Sequence, residues 1–240
     1  MTAPHLVRTP QLAKRLLLIG ALLLAVGCDR NEPAPTEPGP LDGMPAASSP
    51  EGLMDALVWS NQNLSVDGYR TLFTADYRFA FAAFDTSGNP YHGNPWTRDD
   101  ELAYFQNLVN GVPPDSSPAR TLILSLSGLN VQNDTRAGKY DPERRKRVTA
   151  LAHLSIATED DTRFIISGLS VFYVVRGDSA NIPDDLERSP DPGTWYIERW
   201  EDSSVALSGT AAARTLPLPA PHRAQPGTAY TWGWLKSHYR

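Results

Sequence analysis

The stretch VTALAHLSI, residues 148–156, has apolar side chains at every second position, which is the period of a β-strand with one buried face. Residues 121–127, TLILSLS, alternate in the same way, and two further strands are predicted at about 164–175 and 194–202. Turn-forming Asn, Asp and Gly residues lie between the segments. The second half of the chain is therefore predicted to form an antiparallel sheet.

Helices are predicted before these strands. Ser49-Pro50-Glu51 has a capping serine, a proline in the first position and an acid in the first turn, as at a helix start. A short second helix is expected to include residues 69–73, a strand follows at 77–81, and Thr97-Arg98-Asp99-Asp100 resembles a capping box that opens a third helix. Helices followed by strands predict an α+β fold. The third helix should bury a stripe of apolar residues: Leu102, Phe105 and Val109.

The predicted elements follow a distinctive order along the chain. A helix pair runs into a strand, Trp96 then precedes a further helix, and the last strand is WYIERWED at residues 195–202. This order resembles the nuclear transport factor 2-like superfamily, also called cystatin-like or SnoaL-like, over residues 50–205. The resemblance implies that the sheet is strongly curved and wraps around the N-terminal helices as a cone whose open end is a pocket. It does not select a function, because one fold hosts both binding proteins and enzymes.

Several residues are candidates for lining such a pocket. Asp76 is either a general base in apolar surroundings or a turn acid. His153 either enters the pocket or is a hydrogen-bonded sheet residue, and Arg199 either binds a carboxylate ligand or forms a cross-strand ion pair on the outer face. No catalytic set of acid, base and oxyanion donors is recognised, no ligand spacing indicates a metal site, and no cofactor is predicted. The full candidate set is Tyr69, Asp76, Trp96, Phe105, His153, Arg199 and Trp200.

Cys28, the only cysteine, ends the sequence LAVGC after a short apolar run at residues 16–26, which follows three basic residues. This arrangement resembles the bacterial lipoprotein signal, which implies removal of residues 1–27 and acylation of Cys28. The run is too short to span a bilayer, which takes about 20 apolar residues, whereas several acyl chains would anchor the protein firmly. We expect a lipid-anchored protein of the bacterial cell envelope, on the inner or outer membrane, with its folded part outside the cytoplasm.

The segments on either side of residues 50–205 differ from it in composition. Residues 28–49 are rich in Pro and small residues and predict a flexible linker. Residues 206–240 form a Pro- and Ala-rich tail that ends in the aromatic stretch YTWGWLK, which we expect to dock on the domain as a latch or to bind a partner. The basic run at 144–147 is either a solvated hairpin edge or a contact to lipid headgroups.

The net charge of −5 disfavours nucleic acid as a partner, because nucleic-acid binding requires clustered cations. These features favour a non-catalytic module whose cone takes a small hydrophobic ligand, or whose sheet docks an envelope protein or a second copy in a homodimer. The alternative is a small-molecule isomerase, dehydratase or cyclase that uses a pocket acid or histidine.

Overall fold

The computed structural model describes residues 41–85, 90–91, 95–112, 116–203 and 229–240. A 3₁₀ turn at Asp184–Leu186 precedes the last long strand. None of the helices in these ranges is long and apolar enough to cross a membrane. In chain order the elements are α1 (Pro50–Gln62), α2 (Val66–Arg70), β1 (Phe73–Ala80), β2 (Trp96–Thr97), α3 (Arg98–Asn110), β3 (Ala119–Asn133), β4 (Arg145–Thr158), β5 (Arg163–Arg176), β6 (Trp195–Asp202), β7 (Ala229–Tyr230) and α4 (Trp232–His238).

Local capping sets the ends of the helices, as the sequence predicts. Ser49 Oγ accepts a hydrogen bond of 3.0 Å from the backbone N–H of Gly52 at the start of α1. Thr97 and Asp100 form the predicted capping box of α3. Gly111 ends α3 with a φ of +73°, and a Cβ there would lie 2.5 Å from Cδ of Pro118, so this position needs glycine.

The seven strands form one curved sheet in the order β2-β1-β6-β5-β4-β3, and β7 adds to β5 in parallel. Pairing is antiparallel along this order except between β1 and β6. The predicted alternation of β3 and β4 is confirmed, since Leu124 and Leu154 are paired and buried whereas Ile123 is exposed. The fold is therefore α+β, with the helices on the inner side of a curved, largely antiparallel sheet.

A bulge in β6 breaks the alternation expected for the last strand. On β5, Tyr173 pairs with Arg199 and the next residue pairs with Ile197, which leaves Glu198 as an extra residue. Trp195 and Ile197 belong to the core, and after the bulge the core position falls on Trp200. Trp200 therefore shares the core face with Trp195, whereas strict alternation along the strand would place the two on opposite faces.

One boundary and one buried face also differ from the sequence-based expectation. The second helix ends at Arg70 and not near Phe73, because Phe73 already pairs with Ile197 of β6 and begins β1. In α3 the stripe is rotated, with Leu102 and Val109 only partly buried. The fully inward positions of that helix are Glu101, Tyr104, Phe105 and Leu108.

The described residues begin before Pro50, within the stretch predicted as linker. Met44 and Ala47 pack against the core, and the carbonyl of Ala47 accepts a 2.8 Å hydrogen bond from the N–H of Trp195. This contact ties the start of the domain to the first residue of β6.

Candidate functional site

The interior of the cone is organised around the carboxylate of Glu101, which has no solvent exposure. Its Oε1 accepts hydrogen bonds from the hydroxyl of Tyr69 at 2.6 Å and from the ammonium of Lys236. Its Oε2 accepts from the hydroxyl of Tyr77 at 3.2 Å and from the indole of Trp96 at 2.8 Å. Both oxygens are therefore occupied by donors, as a buried charge requires.

Lys236 comes from α4, 135 residues further along the chain, and is also fully buried. Its Nζ lies 4.4 Å from the ring centroid of Phe79 and 4.7 Å from those of Tyr104 and Trp200. These ring faces stabilise the cation beyond its ion pair with Glu101. We call the set of Glu101, Phe79, Trp96, Tyr104 and Trp200 around this ammonium the aromatic cage.

The protonation chemistry of this interior follows from its burial. Burial and the neighbouring Glu101 raise the pKa of Tyr69 and Tyr77 well above the ordinary value, and the pKa of Tyr104 is raised for the same reasons. Burial lowers the pKa of Lys236, and the attraction of Glu101 opposes that change. The phenols therefore stay protonated at neutral pH, and those of Tyr69 and Tyr77 donate to Glu101.

The C-terminal segment docks on the domain, as its aromatic composition predicts. Thr231 caps α4, and Trp232 packs on Trp200 with ring centroids 4.9 Å apart. The hydroxyl of Tyr239 donates a 3.1 Å hydrogen bond to the carbonyl of Ser117, and Arg240 pairs with Asp100 at 2.6 Å. The segment is thus fixed at both ends around the buried lysine.

Gly233 allows the close approach of α4 to the cone. A Cβ on this residue would overlap the carboxylate of Asp85 and lie 2.6 Å from Cδ1 of Phe81. The lack of a side chain therefore permits the depth at which Lys236 reaches Glu101.

The structure brings together part of the candidate set. Tyr69, Trp96, Phe105 and Trp200 all lie in the core, and Tyr69 stacks on Phe105 with centroids 3.9 Å apart. These aromatic residues surround Glu101 and Lys236, so their placement agrees with a shared interior site.

The polar candidates lie elsewhere. Asp76 is exposed within β1, so the pocket-base hypothesis for it is not supported. His153 lies on the exposed face of β4, where its Nδ1 is 2.7 Å from the hydroxyl of Ser167, because the concave face carries the even-numbered residues of that strand. Arg199 forms an ion pair of 2.6 Å with Glu201, the alternative named for it, but along its own strand.

Sequence reasoning missed Glu101 and Lys236, the charged pair at the centre. Glu101 shares helical spacing with Tyr104, Phe105 and Leu108, and this pattern contains the signal of an acid on a buried face. For Lys236, the only local indication of burial is that aromatic residues surround it in the tail sequence. Neither signal identifies the partner, because the pairing is formed by tertiary contact alone.

A second ionic cluster lies beside the bulge of β6. Glu198 accepts from Arg136 at 2.6 Å, from Arg145 at 2.7 Å and from Lys139 at 3.0 Å. Burial would raise the pKa of Glu198, but its cationic partners outweigh this effect and lower it to about 2. Part of the basic run at 144–147 is thus engaged inside the domain, and the cluster closes the long β3–β4 connection.

The outer face of β3, β4 and β5 carries exposed apolar side chains. Ile123, Leu151, Ile165 and Leu169 are 43–56% exposed. Between them lies the paired row Ser125, His153 and Ser167, which is polar and carries no carboxylate, lysine or arginine. We call this set of residues the outer sheet face.

The remaining surface offers open grooves. One of about 640 Å³ is bordered by Arg70, Arg98 and Asp185, where Arg98 is buried and paired with Asp185 at 3.1 Å. Glu101 and Lys236 do not line it.

Among the described residues, no group of three or more His, Cys, Asp or Glu side chains is arranged to hold a metal ion. Cys28, the proposed lipid site, lies outside the described residues.

No protein-family model and no curated protein matches this sequence. Among solved structures, the chain is similar to a proposed aromatic ring hydroxylase from Novosphingobium aromaticivorans, at 15% identity and a TM-score of 0.44 over 65% of this chain and 86% of that one. A proposed scytalone dehydratase from the same organism has 14% identity and a TM-score of 0.43, over 65% and 81% of the two chains. A nuclear transport factor 2-like superfamily protein from Salmonella enterica has 11% identity and a TM-score of 0.42, over 66% and 89%. At such low identity we transfer no activity from these proteins.

Proposed function

We propose that this protein is a non-catalytic docking module, held at the bacterial envelope membrane by lipid on Cys28. The observation that carries the proposal is the filling of the cone interior by the chain's own C-terminal helix, with Lys236 seated on Glu101. A small-molecule enzyme of this architecture needs that interior for its substrate. The space is instead used to fix the tail.

The occupancy of Glu101 supports the same conclusion. A general base needs a lone pair within hydrogen-bond reach of the proton it removes. Both oxygens of Glu101 already accept protein donors, two on each atom. Isomerase or dehydratase chemistry at this acid would require Lys236 to leave.

We assign the docking role to the outer sheet face and its partner to a second copy of the chain. The face combines exposed apolar residues with a central row of neutral polar ones. Two such faces can meet about a two-fold axis without opposing like charges, and closed two-fold dimers are the commonest oligomers. Exposed apolar side chains clustered on one face are also typical of interaction sites.

The oligomeric state tests the docking face. We expect the acylation-free mature domain to sediment as a dimer at micromolar concentration, and the Leu151→Asp variant to sediment as a monomer. Leu151 is 55% exposed, so this substitution should leave the fold intact. Val112→Asp is the matched control, because Val112 is 48% exposed but lies outside the outer sheet face. A wild-type chain that stays monomeric, or a dimer insensitive to Leu151→Asp, contradicts the proposal.

The membrane anchor has its own test. In a bacterial host given a labelled fatty acid, we expect the wild-type chain to incorporate label and lose residues 1–27. The Cys28→Ser variant should take up no label and keep its leader. Normal processing of that variant would refute the lipid anchor while leaving the docking proposal open to its separate test.

A further inference from the structure

The aromatic cage is built by parts of the chain that are independent of α4. Glu101 and Tyr104 come from α3, Phe79 from β1, Trp96 from β2 and Trp200 from β6. Only the cation inside it belongs to the C-terminal helix. The cage therefore has the layout of a binding site, and Lys236 has the position of its ligand.

The chemistry of the occupant is more specific than a latch requires. Apolar side chains in place of both Glu101 and Lys236 would fill the space without the cost of removing two charges from water, and such replacements of whole buried ion pairs are often neutral or stabilising. Here a carboxylate faces the charged end and ring faces surround it at 4.4 to 4.7 Å. Ring faces attract an ammonium group electrostatically, and a carboxylate accepts charge-assisted hydrogen bonds from the N–H donors that a primary ammonium carries.

We propose that the aromatic cage is a binding site for unbranched primary alkylammonium groups, in which Lys236 is the resident and exchangeable occupant. A ligand of this class enters in place of the lysine side chain and displaces it from Glu101. The cage thus takes an amine carried on a narrow aliphatic chain, and a neutral alcohol of the same size lacks the charge that the carboxylate requires.

The attachment of α4 permits this exchange. The helix has only seven residues, and isolated helices of that length are not stable in water, so its order depends on its contacts with the cone. Its contacts are unequal, because Trp232, Leu235 and Tyr239 are buried, whereas the pair of Arg240 with Asp100 is partly exposed, with the arginine side chain 44% accessible. Such exposed pairs contribute little to stability, so opening of α4 from the side of Arg240 is its least costly local motion.

Chemical rescue tests the proposal on the full chain. The Lys236→Ala substitution removes three carbons and the ammonium, which together correspond to n-propylammonium. We expect this variant to bind n-propylammonium chloride saturably in calorimetry and to regain thermal stability with it. Binding should be at least about tenfold tighter than that of n-propanol, because the alcohol lacks the ion pair and the cation–ring contacts. The wild-type chain, whose cage is occupied, should show a much weaker effect.

Two further variants separate cage recognition from general salt effects. Lys139→Ala vacates a surface ion pair with Glu198 and is the matched control, for which no saturable amine effect is expected. Adding Glu101→Gln to Lys236→Ala should abolish the preference for amine over alcohol. If the single variant does not fold alone, amine-dependent recovery of refolded protein is the readout. Equal effects of amine and alcohol, or no recovery with either, would overturn the proposal.

Discussion

The buried pair of Glu101 and Lys236 predicts a strong energetic coupling that a double-mutant cycle can measure. The perturbations are Glu101→Gln and Lys236→Met, which remove each charge while keeping nearly the same volume. Both side chains have no solvent exposure, so neither remaining charge can regain water while α4 stays docked. Removing one partner of a buried pair costs about 3–5 kcal/mol of the free energy of unfolding.

The structure ranks the two single variants within that range. After Lys236→Met, the carboxylate of Glu101 keeps its hydrogen bonds from Tyr69, Tyr77 and Trp96. We therefore expect a loss near the lower limit, about 3 kcal/mol. After Glu101→Gln the ammonium keeps only a neutral amide and the ring faces. Cation–ring contacts are worth about 0.5–2 kcal/mol each but supply no opposite charge, so the loss should approach 5 kcal/mol, the higher end of the buried-pair range.

The double variant contains neither charge and should be more stable than the sum of the single losses implies. The expected coupling is about 2–3 kcal/mol. Urea unfolding followed by tryptophan fluorescence provides the free energies, because Trp96, Trp200 and Trp232 are buried beside the pair. Most domains have only about 5–15 kcal/mol of stability in all, so these losses are readily measured.

The exposed pair Arg199 and Glu201 supplies the matched control, with side chains 39% and 26% accessible. Its cycle, built from Arg199→Gln and Glu201→Gln, should give a coupling of about 1 kcal/mol or less. Additive losses at the buried pair, or a larger loss for Lys236→Met than for Glu101→Gln, would show that the charge does not hold the C-terminal helix in the way described.

Further predictions concern the pH dependence of stability, the docking of α4 on the cone and the glycine that ends α3. The pKa of Glu198 is lowered to about 2 in the folded chain, whereas its value in an unfolded chain is about 4.3. The ion pairs of Glu198 therefore stabilise the fold by about 3 kcal/mol above pH 4.3, and this contribution is lost as the pH falls towards 2. Glu198→Gln should flatten the dependence of unfolding free energy on pH in that window, and an unchanged slope contradicts this. Gly233→Ala should favour the helical conformation by about 1 kcal/mol, but the new Cβ would lie 2.6 Å from Cδ1 of Phe81 and loosen the docking of α4. We therefore expect faster amide exchange at residues 232–238, and unchanged protection would contradict this steric argument. Gly111→Ala should destabilise more than Gly138→Ala in urea, because both have positive φ but only the first meets a neighbour; equal losses would point to backbone strain alone.

The helix starts and the alternation of the long strands could be predicted because they depend on neighbours in sequence. The capping serine, the Thr97 and Asp100 box and the alternating residues of β4 each satisfy local hydrogen bonds or a local period. The docking of the aromatic tail was also predictable, since its composition favours burial. By contrast, the lipid anchor at Cys28 and the homodimer stay predictions.

The site depended on information that no local pattern contains. The period of β6 changes at Glu198, because the extra residue there is accommodated by pairing with β5 and by cations from the β3–β4 connection. The buried carboxylate of Glu101 meets its cation, Lys236, only through a contact between positions 135 apart. Sequence alone determined which segments become helices and strands, through capping and periodicity. Only the tertiary structure decided that the cone is filled by its own C-terminal helix, because a buried charge is tolerated only where a partner from elsewhere in the chain meets it.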